Sequence, residues 1–149
     1  MAGSSSSQGR NEQDQIQDEQ DDPNINRGSN VLGTPLKLCC NRPYKTGFYR
    51  DGFCCTGDND FGVHTVCAIV TNEFLDYSKA QGNDLITPRP EYSFPGLKQG
   101  DKWCLCAARW EEARQAGKAP KVLLEATHIK SLDFVNLSDL MAHAITLPQ

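Results

Sequence analysis

His64-Thr65-Val66-Cys67-Ala68-Ile69-Val70-Thr71 decides how this chain folds. Val66–Val70 is an unbroken apolar run of strand length and rich in β-branched residues. Thr71 then offers a hydroxyl oxygen to cap a helix running to about Gln81. Phe74, Leu75 and Tyr77 supply its apolar face, and Gly82 suits the position just past its end. The same order recurs at Lys102–Ala107, a second strand, followed by a helix from about Ala108 to Ala116 and a stop at Gly117. Side chains alternate across a strand, so Cys104 and Cys106 share one face while Trp103 and Leu105 take the other.

Working outward, Thr46-Gly47-Phe48-Tyr49-Arg50, Asp51-Gly52 and Phe53-Cys54-Cys55 read as a hairpin, because Asp-Gly accepts a tight primed turn. Thr56 to Gly62 is a polar, glycine-bearing loop. Residues 82–101 hold Pro88, Pro90, Pro95, Gly96 and Gly100, which forbid a regular helix; a loop of this length is expected to border the main pocket. Lys121 to Thr127 reads as a third strand, and residues 129–136 read equally as a helical turn or a short strand. Ser138 can cap a last short helix with Leu140, Met141 and Ala144 on its apolar side. The expected fold is α+β, a small mixed or antiparallel sheet with two to three short helices packed mainly on one face. A doubly wound α/β fold is the runner-up, since the two strand–helix units look alike in outline.

Composition narrows the function classes. The chain has 149 residues and a net charge of −4. Residues 1–29 carry that whole excess, with six acids against Arg10 and Arg27, and almost no apolar side chains. Such a stretch cannot bury enough surface to offset its ordering entropy, so 1–29 is expected to be a disordered acidic tail and 30–149 one folded domain. The domain is formally neutral, which gives no reason to expect nucleic acid as a partner. No apolar run approaches a membrane span, and the tail lacks the apolar centre of a signal peptide. A soluble, cytoplasmic protein is the expectation, with its cysteines thiols or metal ligands rather than a disulfide framework.

Familiar catalytic motifs are absent: no phosphate-binding loop, no dinucleotide fingerprint, no nucleophile elbow, no H-E-x-x-H and no C-x-x-C. What remains is a set of seven cysteines and three histidines. The candidate metal or thiol site comprises Cys54, Cys55, His64, Cys67, Cys104, Cys106 and His128, with His64 and His128 at strand ends where side chains can converge. Three readings compete. The cysteines can be small buried hydrophobes of a binding or interaction module. They can bind a metal, for which zinc suits thiolate and imidazole ligands. Or one can be a nucleophile or redox thiol beside a histidine.

Several blocks also carry a resemblance. They include Asn30-Val31-Leu32-Gly33-Thr34-Pro35-Leu36, Thr46–Gly52, His64–Ala68, Gly82-Asn83-Asp84-Leu85 and Phe94-Pro95-Gly96-Leu97-Lys98. Gly100–Trp110 and Leu124-Glu125-Ala126-Thr127-His128 complete the set. In this order they resemble the uncharacterised family known as domain of unknown function 2237, over about residues 30–145. Cys39, Cys54, Cys55, Cys67, Cys104 and Cys106 fit its pattern, while Cys40 and the acidic tail depart from it. The resemblance implies a small α+β domain and brings no activity, substrate or catalytic residue.

Overall fold

The structure, a computed structural model, describes residues 27–40 and 46–145. The expectation of a disordered tail therefore falls almost wholly outside the described residues. Packing is in place by Arg27, whose guanidinium lies 4.0 Å over the Phe53 ring. Gly28 and Ser29 carbonyls accept from the amides of Leu36 (3.0 Å) and Ile129 (2.8 Å).

The sheet forms where the sequence places its apolar runs. Strand β1 (His64–Ile69) lies between β2 (Lys102–Cys106) and the short β3 (Lys121–Val122), antiparallel to both. Val66 and Leu105, and Ala68 and Trp103, stand opposite each other. Their face meets helices α1 (Asn72–Ala80), α2 (Ala107–Gln115) and α3 (Leu137–Ala142) through Phe74, Leu75, Trp110 and Leu140. The result is the expected α+β arrangement with an open three-stranded sheet. Thr71 caps α1 by accepting from the Phe74 amide at 3.1 Å. Trp110 donates its indole N–H to the Pro120 carbonyl at 3.1 Å, so its ring is fully buried without an orphaned donor.

The other face of the sheet carries Cys67, Cys104 and Leu123, with Cys39, Cys54 and Ala126 packed on it. Two loop segments, 36–40 and 46–55, cover this side. The Thr46 hydroxyl accepts from the Cys104 amide at 2.9 Å and so satisfies the outer edge of β2.

Three elements differ from the sequence reading. Residues 46–55 close on themselves (Gly52 N to Thr46 O, 2.9 Å) but form no ladder. The Gly52 carbonyl accepts from Cys39 and Cys40 instead, and Gly47, Arg50 and Gly52 all take positive φ, which curls the segment out of strand conformation. The third strand stops at Val122 and gives way to a 3-10 turn over Leu124–Ala126. Side chains take over the pairing there: the Thr127 hydroxyl accepts from the Cys67 amide at 3.1 Å and donates to the Leu123 carbonyl at 2.8 Å. Buried Asn30 donates to the Glu125 carbonyl at 3.0 Å. The last helix starts from Asn136 rather than from Ser138.

Candidate functional site

Two sulfur-bearing groups emerge on the loop-covered side of the sheet. The first is a closed cluster. Cys39 bonds to Cys67 and Cys54 to Cys104, with Cα–Cα separations of 5.8 and 5.2 Å. All four are buried. The Sγ atoms of Cys39, Cys54 and Cys67 lie within 4.8 Å of one another, so the two disulfides abut. The strands put Cys67 opposite Cys104, and the two loop segments lay Cys39 and Cys54 over them. This differs from the expectation that the cysteines are unpaired. Register and loop closure bring together residues 28 and 50 positions apart, which spacing alone does not reveal.

The second group sits at the end of the same face. His64 of β1 stands opposite Cys106 of β2, and a bulge between His64 and Val66 accompanies that pairing. Directly opposed residues hold their Cβ atoms about 5 Å apart on one face. A bulge re-aims side chains next to it. Cys106 is half-buried and unbridged, and it stands at the residue before α2 with its side chain making no capping bond. The amides of the first helical turn have no preceding turn to accept from them, and they favour negative charge nearby.

His64 is held from several sides. Its Nδ1 lies 2.6 Å from Asp60 Oδ1, and its own amide donates to Asp60 Oδ2 at 2.9 Å. The Thr56 hydroxyl donates to the same carboxylate at 3.0 Å. Burial pushes the Asp60 carboxyl up, but these bonds and the charge of His64 outweigh it and hold it below its ordinary value. Asp60 is therefore an ionised acceptor, so the short contact requires the hydrogen on His64 Nδ1. In the neutral tautomer that this contact selects, Nε2 is the ring's acceptor. A Cβ at Gly62 would collide with the imidazole, so glycine at that position lets the ring lie flat on the loop. The Phe48 ring stacks on it at 6.3 Å.

Backbone strain marks the same place. Val63, a β-branched residue, has φ of +50°. Its amide donates to the Asp60 carbonyl (3.1 Å), and its carbonyl accepts from Ala107, the residue after Cys106, at 3.0 Å. The strained residue thus ties the histidine loop to the start of α2. Exposed aromatics accompany the histidine: Phe48 stacks on it, Tyr49 packs edge-on against Phe48, and Phe61, three residues earlier in the same loop, is 91% exposed.

The remaining candidates stand apart. Cys55 belongs to a separate cluster with Leu36 and Phe53, and its thiol contacts the Arg27 carbonyl at 3.6 Å. Burial, then the charge of Asp51, pushes this thiol up to about 12 against the pull of Arg27, which keeps it protonated and inert. His128 caps a 3-10 turn over Ile129–Asp133, accepting from the Lys130 amide through Nδ1 at 3.0 Å. Burial lowers its pKa, a hydrogen bond with the Arg27 backbone raises it, the Lys130 charge lowers it, and the net shift is downward. Of the seven candidate residues, then, Cys54, Cys67 and Cys104 join one group and His64 and Cys106 the other. Sequence reading missed Cys39, Asp60 and Thr56 as site residues. Asp60 and Thr56 lie in a glycine-bearing polar loop that reads as solvent-facing; the signal was an acid four residues before a strand-end histidine.

An α+β fold with a cysteine cluster on one covered face of its sheet defines the class of protein. Residues 29–144 match the family described as an uncharacterized protein conserved in bacteria, and the chain belongs to that family, domain of unknown function 2237. No curated protein matches the chain. No helix among the described residues is long and apolar enough to cross a membrane.

Proposed function

We propose that this protein is a thiol-dependent acyl-transfer enzyme of the hydrolase type, with Cys106 as nucleophile, His64 as general base and Asp60 as the group that orients the histidine. One observation carries the reading. A buried carboxylate holds His64 Nδ1 at 2.6 Å, and that histidine stands in register with an unbridged, half-buried cysteine. Nucleophile, base and third group in that order are what thiol catalysis needs.

The chemistry balances without a cofactor. The Cys106 proton passes to His64 Nε2, and the sulfur attacks the carbonyl carbon of an ester or thioester. The tetrahedral intermediate collapses, the leaving group takes the proton from His64, and a thioester remains on Cys106. Water, deprotonated by the same imidazole, releases the acid and restores the thiol. The Ala107 amide is taken by the Val63 carbonyl, so the next amides of the first turn of α2, those of Ala108 and Arg109, are the donors for the developing oxyanion. Phe48, Tyr49 and Phe61 supply apolar contact area, which suits an apolar or aromatic acyl group.

Limited alkylation with iodoacetamide, read residue by residue by mass spectrometry, tests this. General-base assistance is worth about a hundredfold or more. Cys106 should therefore react far faster than half-buried Cys40, and His64→Ala should remove the difference. Equal rates at both cysteines, unchanged by His64→Ala, would reject the proposal. The module reading keeps support at Cys39, Cys54, Cys67 and Cys104, which are paired and buried.

A further inference from the structure

Four sulfurs from four separate segments meet behind the sheet, and Cys106 plays no part in their arrangement. Cys67 and Cys104 come from adjacent strands; Cys39 and Cys54 come from the loops laid over them. Two disulfides alone would not need to abut, yet sulfurs of different bridges lie within 4.8 Å. A zinc ion bound by four thiolates at about 2.3 Å sets its sulfurs about 3.8 Å apart. Opening each bridge lengthens its own sulfur–sulfur distance toward that value; the Cys54 sulfur then closes on those of Cys39 and Cys67 by about 1 Å, and the Cys104 sulfur, which lies outside that trio, turns toward them. β1–β2 pairing fixes the backbones of Cys67 and Cys104, so the change falls on side-chain rotation and on the two loops that carry Cys39 and Cys54.

Burial points the same way. Leu123, Ala126 and the flank of Ile69 pack on the cluster and make its surroundings apolar. Four unpaired thiols would be tolerated there, but thiolates require a cation. A soft-to-borderline divalent ion meets that need with four sulfur ligands and no open position.

We propose that the reduced protein binds one zinc ion through Cys39, Cys54, Cys67 and Cys104, and that oxidation to the two disulfides expels it. A dithiol supplies four electrons and four protons to open both bridges, becoming a disulfide itself in two equivalents. Zinc then displaces the four thiol protons. In the reverse direction two equivalents of a disulfide such as oxidised glutathione take the four electrons and, with four protons from water, become four thiols, while two bridges re-form and zinc leaves.

The test uses the full chain, kept in dithiol throughout purification and then freed of it without air. Zinc content, cobalt(II) substitution spectra and alkylation are read on the wild type and on a Cys40→Ser/Cys55→Ser/Cys106→Ser variant that keeps only the four cluster cysteines. Both should hold one zinc per chain and give the intense bands of tetrahedral thiolate-bound cobalt; the variant should show its four thiols shielded from alkylation, and the wild type those four besides buried Cys55. Cys39→Ser should weaken zinc binding at least about tenfold. Oxidised glutathione should release the zinc and lower the intact mass by four hydrogens. Circular dichroism records whether the reduced chain is folded. A folded reduced chain that takes up no zinc overturns the proposal. So does a reduced chain that unfolds and is not refolded by added zinc, or metal binding unaffected by Cys39→Ser.

Discussion

Asp60 is the residue on which the local chemistry turns. Its buried carboxylate takes two hydrogen bonds from His64 and one from Thr56. Asp60→Asn keeps the shape but replaces an ionised acceptor with an amide that must donate at one end. We expect a loss of about 1–3 kcal/mol in urea-unfolding stability. The pH dependence has a defined sign. A carboxyl held below its ordinary value of 3.8 stabilises the fold above that pH, and the contribution is lost as pH falls through the lower folded value. Asp60→Asn should therefore flatten the acid limb of the stability profile; an unchanged limb would show that the carboxylate is not stabilised by folding. His128 behaves oppositely. Its neutral form is favoured by the fold, so protons bind the unfolded chain first and stability drops as pH falls below about 6.5. His128→Asn keeps a capping acceptor but cannot titrate, and should remove that part of the slope between pH about 7 and 5.

At the scale of elements, strand and helix starts were legible because their signals are local. Thr71 as a cap and the alternation of Trp103 and Leu105 against Cys104 and Cys106 needed only neighbours in sequence. Thr71→Ala should cost about 1 kcal/mol with little change elsewhere, as measured by thermal or urea unfolding. The failures share a cause. The 46–55 segment and the end of the third strand are shaped by partners far along the chain: Cys39 and Cys40 at Gly52, Asn30 at Glu125, Cys67 at Thr127. Non-local hydrogen bonds override a local strand propensity and leave no periodic trace. The bulge that accompanies the His64–Cys106 pairing is likewise a property of register, so the sequence showed both residues as candidates but not as a pair.

For the whole molecule, the sheet separates two chemistries. One face meets the helices in an aliphatic and aromatic core; the other holds the sulfurs, with the His64–Cys106 pair at its end. The bridges tie the two covering loops to the sheet across 28 and 50 residues. Closing loops of that size is worth about 3–4 kcal/mol each in the chain-entropy account. Reduction in the presence of a chelator should therefore lower the unfolding midpoint strongly, while an alanine at Cys55, outside both bridges, should leave the bridges intact. The account's central claim concerns Cys106, and an acyl-enzyme is its most direct signature. The protein is mixed with an activated aromatic ester, quenched in acid within the first turnover and weighed intact, with peptide mapping to locate the added mass. The account predicts one acyl group, on Cys106, absent from Cys106→Ala and strongly reduced in His64→Ala. Acylation spread over lysines and other cysteines, or equal labelling of the His64→Ala chain, would contradict it.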